Sequence, residues 1–280
     1  MSLQQEQQLT AAVLARLDGC DDPRLREIMS SLIGHLHDFV RDVEPTPAEW
    51  FEAIRFLTDT GHMCDDKRQE FILLSDTLGV TMLVDAINNR KPQGATESSV
   101  LGPFYMEGAP EMESGCDLAE GERGGVTVSG RVLTVDGEPI GHALLDVWQT
   151  APNGLYHMQD EGQEEFHLCA RVQAGADGSY RLRTLKPVAY PIPTDGPVGK
   201  LLERLGRHPY RPAHIHFIVS APGFKPVVTQ LFTRDDEYIS SDAVFGVKES
   251  LKVDYRPDGD DWRVDYDFVL EALPPGHEGA

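Results

Sequence analysis

What this chain is short of narrows it first. In 280 residues there is no run of about 18 apolar side chains, so no segment suits a membrane-crossing helix. The opening MSLQQEQQLT has no basic stretch leading into an apolar one, and no secretory leader is expected. Cysteine is scarce: Cys20, Cys64, Cys116 and Cys169 stand far apart without a CxxC pair. That spacing suits neither a disulfide framework nor a thiolate zinc site, and a reducing cytoplasm is the expected home. Positive charge is also thin, with 25 Lys and Arg against 46 Asp and Glu, a formal net charge of -21. Such a field repels phosphate, argues against nucleic acid or an anionic membrane as partner, and mostly serves solubility. No fixed-period repeat or low-complexity tract is visible, and the length allows one large domain or two ordinary ones.

What is present falls into two textures, and together they predict an α+β chain. Residues 1–95 read as helices. In DDPRLREIMSSLIGHLHDFV, Asp22 is a good N-cap, Pro23 takes the first helical position, and Leu25, Ile28, Met29, Leu32, Leu36 and Val40 form one apolar stripe. TPAEWFEAIRFL opens with capping-box spacing between Thr46 and Glu49, and a third helical stretch, KRQEFILLSDTLGVTMLVDAI, is interrupted near Gly79. From Lys91 to Gly125 the chain is rich in Gly, Pro and acid and reads as a long connection. Beyond it, VTVSGRVLTVDGEPI, ALLDVWQT, GSYRLRTL, AHIHFIVSA, PVVTQLFT and WRVDYDFVL are short β-rich segments, with turn signals at Asp136-Gly137 and Asp177-Gly178. Residues 96–280 are therefore expected to form a β-sandwich.

Within AHIHFIVSA, strand alternation puts His214 and His216 on one face and Ile215, Phe217 and Val219 on the other, so the two imidazoles can reach one metal ion. The same HxH spacing occurs in GHLHDF, but there His35 and His37 are helical and diverge. Two histidines do not complete a site: added carboxylates would suit non-haem Fe(II), and a third histidine would suit zinc. Two tyrosines stand nearby in constrained loops, Tyr156 after an Asn-Gly turn and Tyr190 among prolines in LKPVAYPIPTDGP. Phenolate is a hard anionic donor, so two tyrosines with two histidines make sense for ferric iron.

NGLYHMQD, followed by YPIPTDGPVGKLLERLGRHPYRPAHIHFIVSAPGFKPVVTQLF, resembles the intradiol ring-cleavage dioxygenases of aromatic degradation, as do FILLSDTLGVTMLVDAI and SSVLGPFY upstream. The resemblance covers most of the chain. It implies one Fe(III) per subunit held by Tyr156, Tyr190, His214 and His216, with Tyr190 as a proton acceptor as well as a ligand. It also implies an N-terminal helical domain (1–95) that builds a homodimer, with phospholipid as a candidate ligand at the dimer interface, and an iron-bearing sandwich (96–280). The expected substrates are a catechol-type diol and O2, with cleavage between the two hydroxyl-bearing carbons. Arg211, three residues before His214, would stabilise developing negative charge, and Gln230 on the next strand would orient a ligand or intermediate oxygen.

The same resemblance places the substrate-pocket wall on Leu73, Asp76, Val100, Leu101, Gly102, Pro103, Phe104, Ile192, Pro193 and Val244, with Arg211 beside it. Asp76 is the informative member. Against a plain benzene ring a carboxylate would be desolvated without a partner, whereas a third ring hydroxyl would give it a hydrogen bond. The expectation is hydroxyquinol (benzene-1,2,4-triol), giving 3-hydroxy-cis,cis-muconate and hence maleylacetate. Were Asp76 a helix-end cap turned to solvent, catechol or a chlorocatechol would stay open as the alternative substrate. Two other readings, a transthyretin-like binding sandwich and a zinc hydrolase, would both be colourless, whereas iron tyrosinate absorbs visible light.

Overall fold

The computed structural model describes residues 2–65, 68–90 and 92–274. Its contacts divide the chain into two compact units, residues 1–59 and 60–280. The first holds α1 (Leu3–Leu14), α2 (Pro23–Val43) and most of α3 (Pro47–His62). The starts of α2 and α3 are the capped ones the sequence predicts. Asp22 accepts from the N–H groups of Arg24 and Leu25 at 2.9 and 3.1 Å with Pro23 behind it, and Thr46 exchanges hydrogen bonds with Glu49. The predicted stripe on α2 is present and exposed: Leu25, Ile28, Leu32, Leu36 and Val40 each keep about half their surface open. Among the described residues no helix is long and apolar enough to cross a membrane.

The second unit begins with α4 (Glu70–Thr77) and α5 (Val80–Asn88), separated at Gly79, whose φ of +74° explains the predicted interruption. The composition changes near residue 95, but contacts divide at 59/60. The reason is packing: Leu73 of α4 and Met82 of α5 share a buried cluster with Val100, Ile192 and Val244. A short α6 (Pro197–Arg204) lies in the same cluster through Val198 and Leu202.

The strands follow in chain order as β1 (Glu111–Glu113), β2 (Cys116–Asp117), β3 (Gly125–Thr134), β4 (Leu144–Trp148), β5 (Cys169–Gln173), β6 (Ser179–Leu185) and β7 (Tyr190–Pro191), then β8 (Tyr210–Arg211), β9 (His214–Ser220), β10 (Val227–Thr233), β11 (Lys252–Val253), β12 (Arg256–Asp258), β13 (Asp261–Asp265) and β14 (Phe268–Leu270). One mixed sheet runs β1-β5-β4-β9-β10-β11; the other runs β12-β13-β3-β6-β2 with β14 also on β3, and β7 pairs with β8 alone. All six predicted β segments are strands. The stretch read as connection, 91–125, also carries β1 and β2, too short to show a period. The main core lies between the sheets, where Ile215, Phe217 and Val219 of β9 meet Val126 and Val128 of β3, Leu145 and Val147 of β4, and Phe268 of β14. Alternation along β9 then turns His214 and His216 to the opposite face.

Candidate active site

On that opposite face the four predicted donors come together. His214 and His216 put their Nε2 atoms 3.1 Å apart. Tyr156 Oη lies 2.9 Å from His216 Nε2 and 3.0 Å from Tyr190 Oη, which in turn lies 3.4 Å from His214 Nε2. Four donor atoms thus close a ring with edges of 2.9–3.4 Å. Donors about 2.0–2.2 Å from a single ion, at angles between a right angle and the tetrahedral value, stand roughly 2.8–3.6 Å apart, so the ring is the right size for one metal ion. The elements explain the convergence. β9 supplies the histidines, Tyr190 begins β7 in a proline-bound loop, and Tyr156 follows the tight turn at Gly154, which packs against Tyr190.

All four side chains are buried, none more than 6% exposed. Burial, with the Arg211 charge beside it, holds the His214 imidazole well below its ordinary pKa; burial and the neighbouring His214 do the same to His216. Both rings are therefore neutral at pH 7, as metal ligands must be. His214 Nδ1 donates to the Pro212 carbonyl at 2.6 Å, which leaves the Nε2 lone pair facing the ring of donors. Burial, and then Tyr190, push the Tyr156 phenol far above its usual pKa, so ionising it requires a strong positive charge at the centre of the ring. The donor set fits a hard trivalent ion. Among the described residues no three of His, Cys, Asp and Glu gather as a metal site, so these tyrosines are needed to complete one.

The charged neighbours are equally ordered. Arg211, 3% exposed, aims Nη1 at His214 Nε2 (3.2 Å) and donates from Nη2 to Gln230 Oε1 (2.7 Å). Gln230, fully buried, donates to the Val100 carbonyl at 2.6 Å, and its Nε2 lies 3.1 Å from His216 Nδ1. Its place on β10 is fixed by register, directly across from His216. Two contributors escaped the sequence reading. Trp148, the β4 register partner of His216, stacks on its ring at 4.6 Å and 14°. Asp242 pairs with Arg211 Nε at 3.1 Å, both side chains nearly sealed from solvent. The only sequence signal for Asp242 was general: an arginine beside a buried strand needs an acidic partner.

Of the predicted pocket wall, Leu73, Val100, Ile192 and Val244 pack in one buried cluster. Phe104 stacks on Tyr156 at 4.7 Å, and Gly102, at φ +77°, brings bare backbone to His216: a Cβ there would sit 3.5 Å from Cε1. Leu101 and Pro103 are exposed, Pro193 is half-buried, and none of the three belongs to that cluster. Asp76 is 5% exposed on the buried face of α4 with Glu70, Leu73 and Thr77, so it is not a cap turned to solvent. Burial raises its pKa against a hydrogen bond from Thr81 and the attraction of Arg211, and its Oδ1 is buried without a hydrogen-bond partner.

The chain is also similar over most of its length to known proteins. The family described as Catechol dioxygenase N terminus matches residues 22–96, and Dioxygenase matches 100–272. The chain is 51% identical to hydroxyquinol 1,2-dioxygenase of Rhizobium sp. strain MTP-10005, over 95% of both chains. It is 52% identical to 6-chlorohydroxyquinol 1,2-dioxygenase of Cupriavidus pinatubonensis, over 94% of this chain and 96% of the relative. Among solved structures, hydroxyquinol 1,2-dioxygenase from Pseudomonas putida DLL-E4 superposes with a TM-score of 0.93 at 49% identity, covering 97% of this chain and all of the other.

Proposed function

The chain belongs to the intradiol ring-cleavage dioxygenase family, and we propose that it cleaves hydroxyquinol with O2 between the two adjacent hydroxyl-bearing carbons. Both oxygen atoms enter the product, 3-hydroxy-cis,cis-muconate, which tautomerises to maleylacetate. The observation that carries this reading is the closed ring of two phenols and two imidazoles, with a buried, unpartnered carboxylate oxygen of Asp76 on the buried face of α4.

One Fe(III) per subunit, held by Tyr156, Tyr190, His214 and His216, would supply the Lewis acidity that makes a chelated diolate reactive toward O2. The other work belongs to the chain. Tyr190 Oη, at the edge of the ring beside His214, accepts a proton from an incoming substrate hydroxyl. Arg211 Nη1 presents a fixed positive charge beside the ligands, where negative charge grows as the ring is attacked. Gln230 ties Arg211 to the His216 side of the site. The wall formed by Leu73, Val100, Ile192 and Val244 excludes water and holds the ring's apolar edge, with Gly102 and Phe104 closing over His216 and Tyr156. Asp76 Oδ1 accepts a hydrogen bond from the third hydroxyl, the partner it lacks in the protein alone.

We assign dimer formation to the helical part, residues 1–95, with a second copy of the chain covering the exposed stripe of α2 and phospholipid as a further candidate for apolar surface there. The deciding experiment measures O2 uptake on hydroxyquinol and catechol side by side, together with the visible spectrum. Fast uptake on the triol by a red-brown protein, with the band weakened or moved in Tyr156→Phe and Tyr190→Phe, is the expected result. A protein that stays colourless and inactive after iron loading would overturn the reading.

A further inference from the structure

Arg211 carries five N–H groups on one rigid plane, and most of them are committed. Nε donates to Asp242 Oδ1 at 3.1 Å, and Nη2 reaches Asp242 Oδ2 at 3.3 Å and Gln230 Oε1 at 2.7 Å. One edge of the guanidinium is thereby clamped to a carboxylate, and because the fork is planar, that clamp dictates where Nη1 points. It points at His214 Nε2, 3.2 Å away, inside the ring of metal donors.

Asp242 is itself held from behind. Its Oδ1 accepts from the Val244 N–H at 3.3 Å and its Oδ2 from the Gly246 N–H at 2.9 Å. The loop is tight at Gly246: an added Cβ would lie 2.9 Å from Arg211 Nη2 and 3.2 Å from Asp242 Oδ2, and the Gly246 carbonyl takes a hydrogen bond from Ser99 Oγ at 2.8 Å. The same carboxylate therefore fixes the Arg211 fork and, through the backbone, the segment carrying Val244 of the pocket wall.

We propose that Asp242 is a positioning residue for ring cleavage: its clamp on the Nε–Nη2 edge of Arg211 aims Nη1 at the reacting oxygens, and its grip on the 244–246 backbone sets the adjoining wall. Asp242 does not touch substrate. It acts through Arg211, whose stabilisation grows as charge develops, so losing it lowers kcat more than substrate affinity. This inference rests on the intradiol reading given above.

The test compares Asp242→Asn with the parent in the iron-loaded enzyme, using steady-state O2 uptake on hydroxyquinol and anaerobic substrate titration of the visible band. In Asp242→Asn one carboxylate oxygen becomes a donor facing donors, and the expected result is a kcat loss of about 100-fold with the anaerobic Kd within about threefold. A merely structural role would lower iron content and folded fraction without separating these two quantities. Should the single variant fail to fold, Arg211→Met is compared with Arg211→Met/Asp242→Leu, which removes both buried charges. Equal kcat in those two supports action through Arg211, while a further loss of about tenfold or more in the double variant overturns it. A folded Asp242→Asn enzyme that keeps kcat within about threefold of an active parent overturns this inference alone. An inactive parent overturns the reading beneath it.

Discussion

The molecule carries the sequence pattern HxH twice, and the two copies have nothing else in common. His35 and His37 ride on α2, where positions two apart diverge: His35 is exposed, and His37 Nδ1 meets Thr10 Oγ1 at 2.9 Å. His214 and His216 ride on β9, where positions two apart coincide: both are buried and their Nε2 atoms are 3.1 Å apart. Spacing by itself carries no chemistry. It acquires chemistry from the element that bears it and from what else that element's face collects, here two phenols and an arginine.

The widest gap between the two pairs should appear on removal of the rings. His216→Ala deletes one of four donors and leaves a cavity under the Trp148 stack. Iron content should collapse and O2 uptake on hydroxyquinol fall by about 1,000-fold or more, whereas His35→Ala and His37→Ala should keep activity within about twofold. Metal analysis beside the uptake assay reads both. If His37→Ala cost as much iron as His216→Ala, the contrast drawn from helix and strand geometry would be wrong.

That contrast was legible in the sequence because β9 puts Ile215, Phe217 and Val219 in the sandwich core and its two histidines, with Ile218, on the opposite face. The capped starts of α2 and α3 were legible for a similar reason: capping is local chemistry. Other features were hidden for physical reasons. β5 lies between β1 and β4, and its CARVQ has Cys169, Ala170 and Val172 buried, which blurs the period of two. Asp242 sits in an irregular loop 31 residues from Arg211, and no periodicity links residues joined only by charge. Trp148 over His216 depends on strand register, which a single segment does not reveal. The grouping of α4 and α5 with the sheets was hidden too, because their helical pattern says nothing of which unit buries it.

A smaller effect should separate substrate choice from metal binding. Asp76→Leu leaves the four donors in place and removes the orphaned Oδ1 from the buried face of α4. Turnover of hydroxyquinol should fall by about 10- to 100-fold while catechol turnover holds or rises, because the third hydroxyl loses its acceptor and the apolar ring loses an unfavourable neighbour. The visible band should stay where it was. Equal losses on both diols would remove Asp76 from substrate recognition and leave the metal site intact.

The smallest effect returns to the helical pair. His37 meets Thr10 at the contact between α1 and α2, and Arg41 Nη1 donates to the same hydroxyl at 3.0 Å, so Thr10 Oγ1 is the hub of that polar contact. Thr10→Val keeps the shape and removes the hub. A hydrogen bond at a half-open site is worth about 0.5–1.5 kcal/mol, and the partners left behind can turn to water, so the loss should fall at the low end of that range. Chemical denaturation should show that small shift, with iron content and O2 uptake unchanged. A histidine whose neighbourhood can be dismantled at that cost, without touching the metal, is holding two helices together and nothing more.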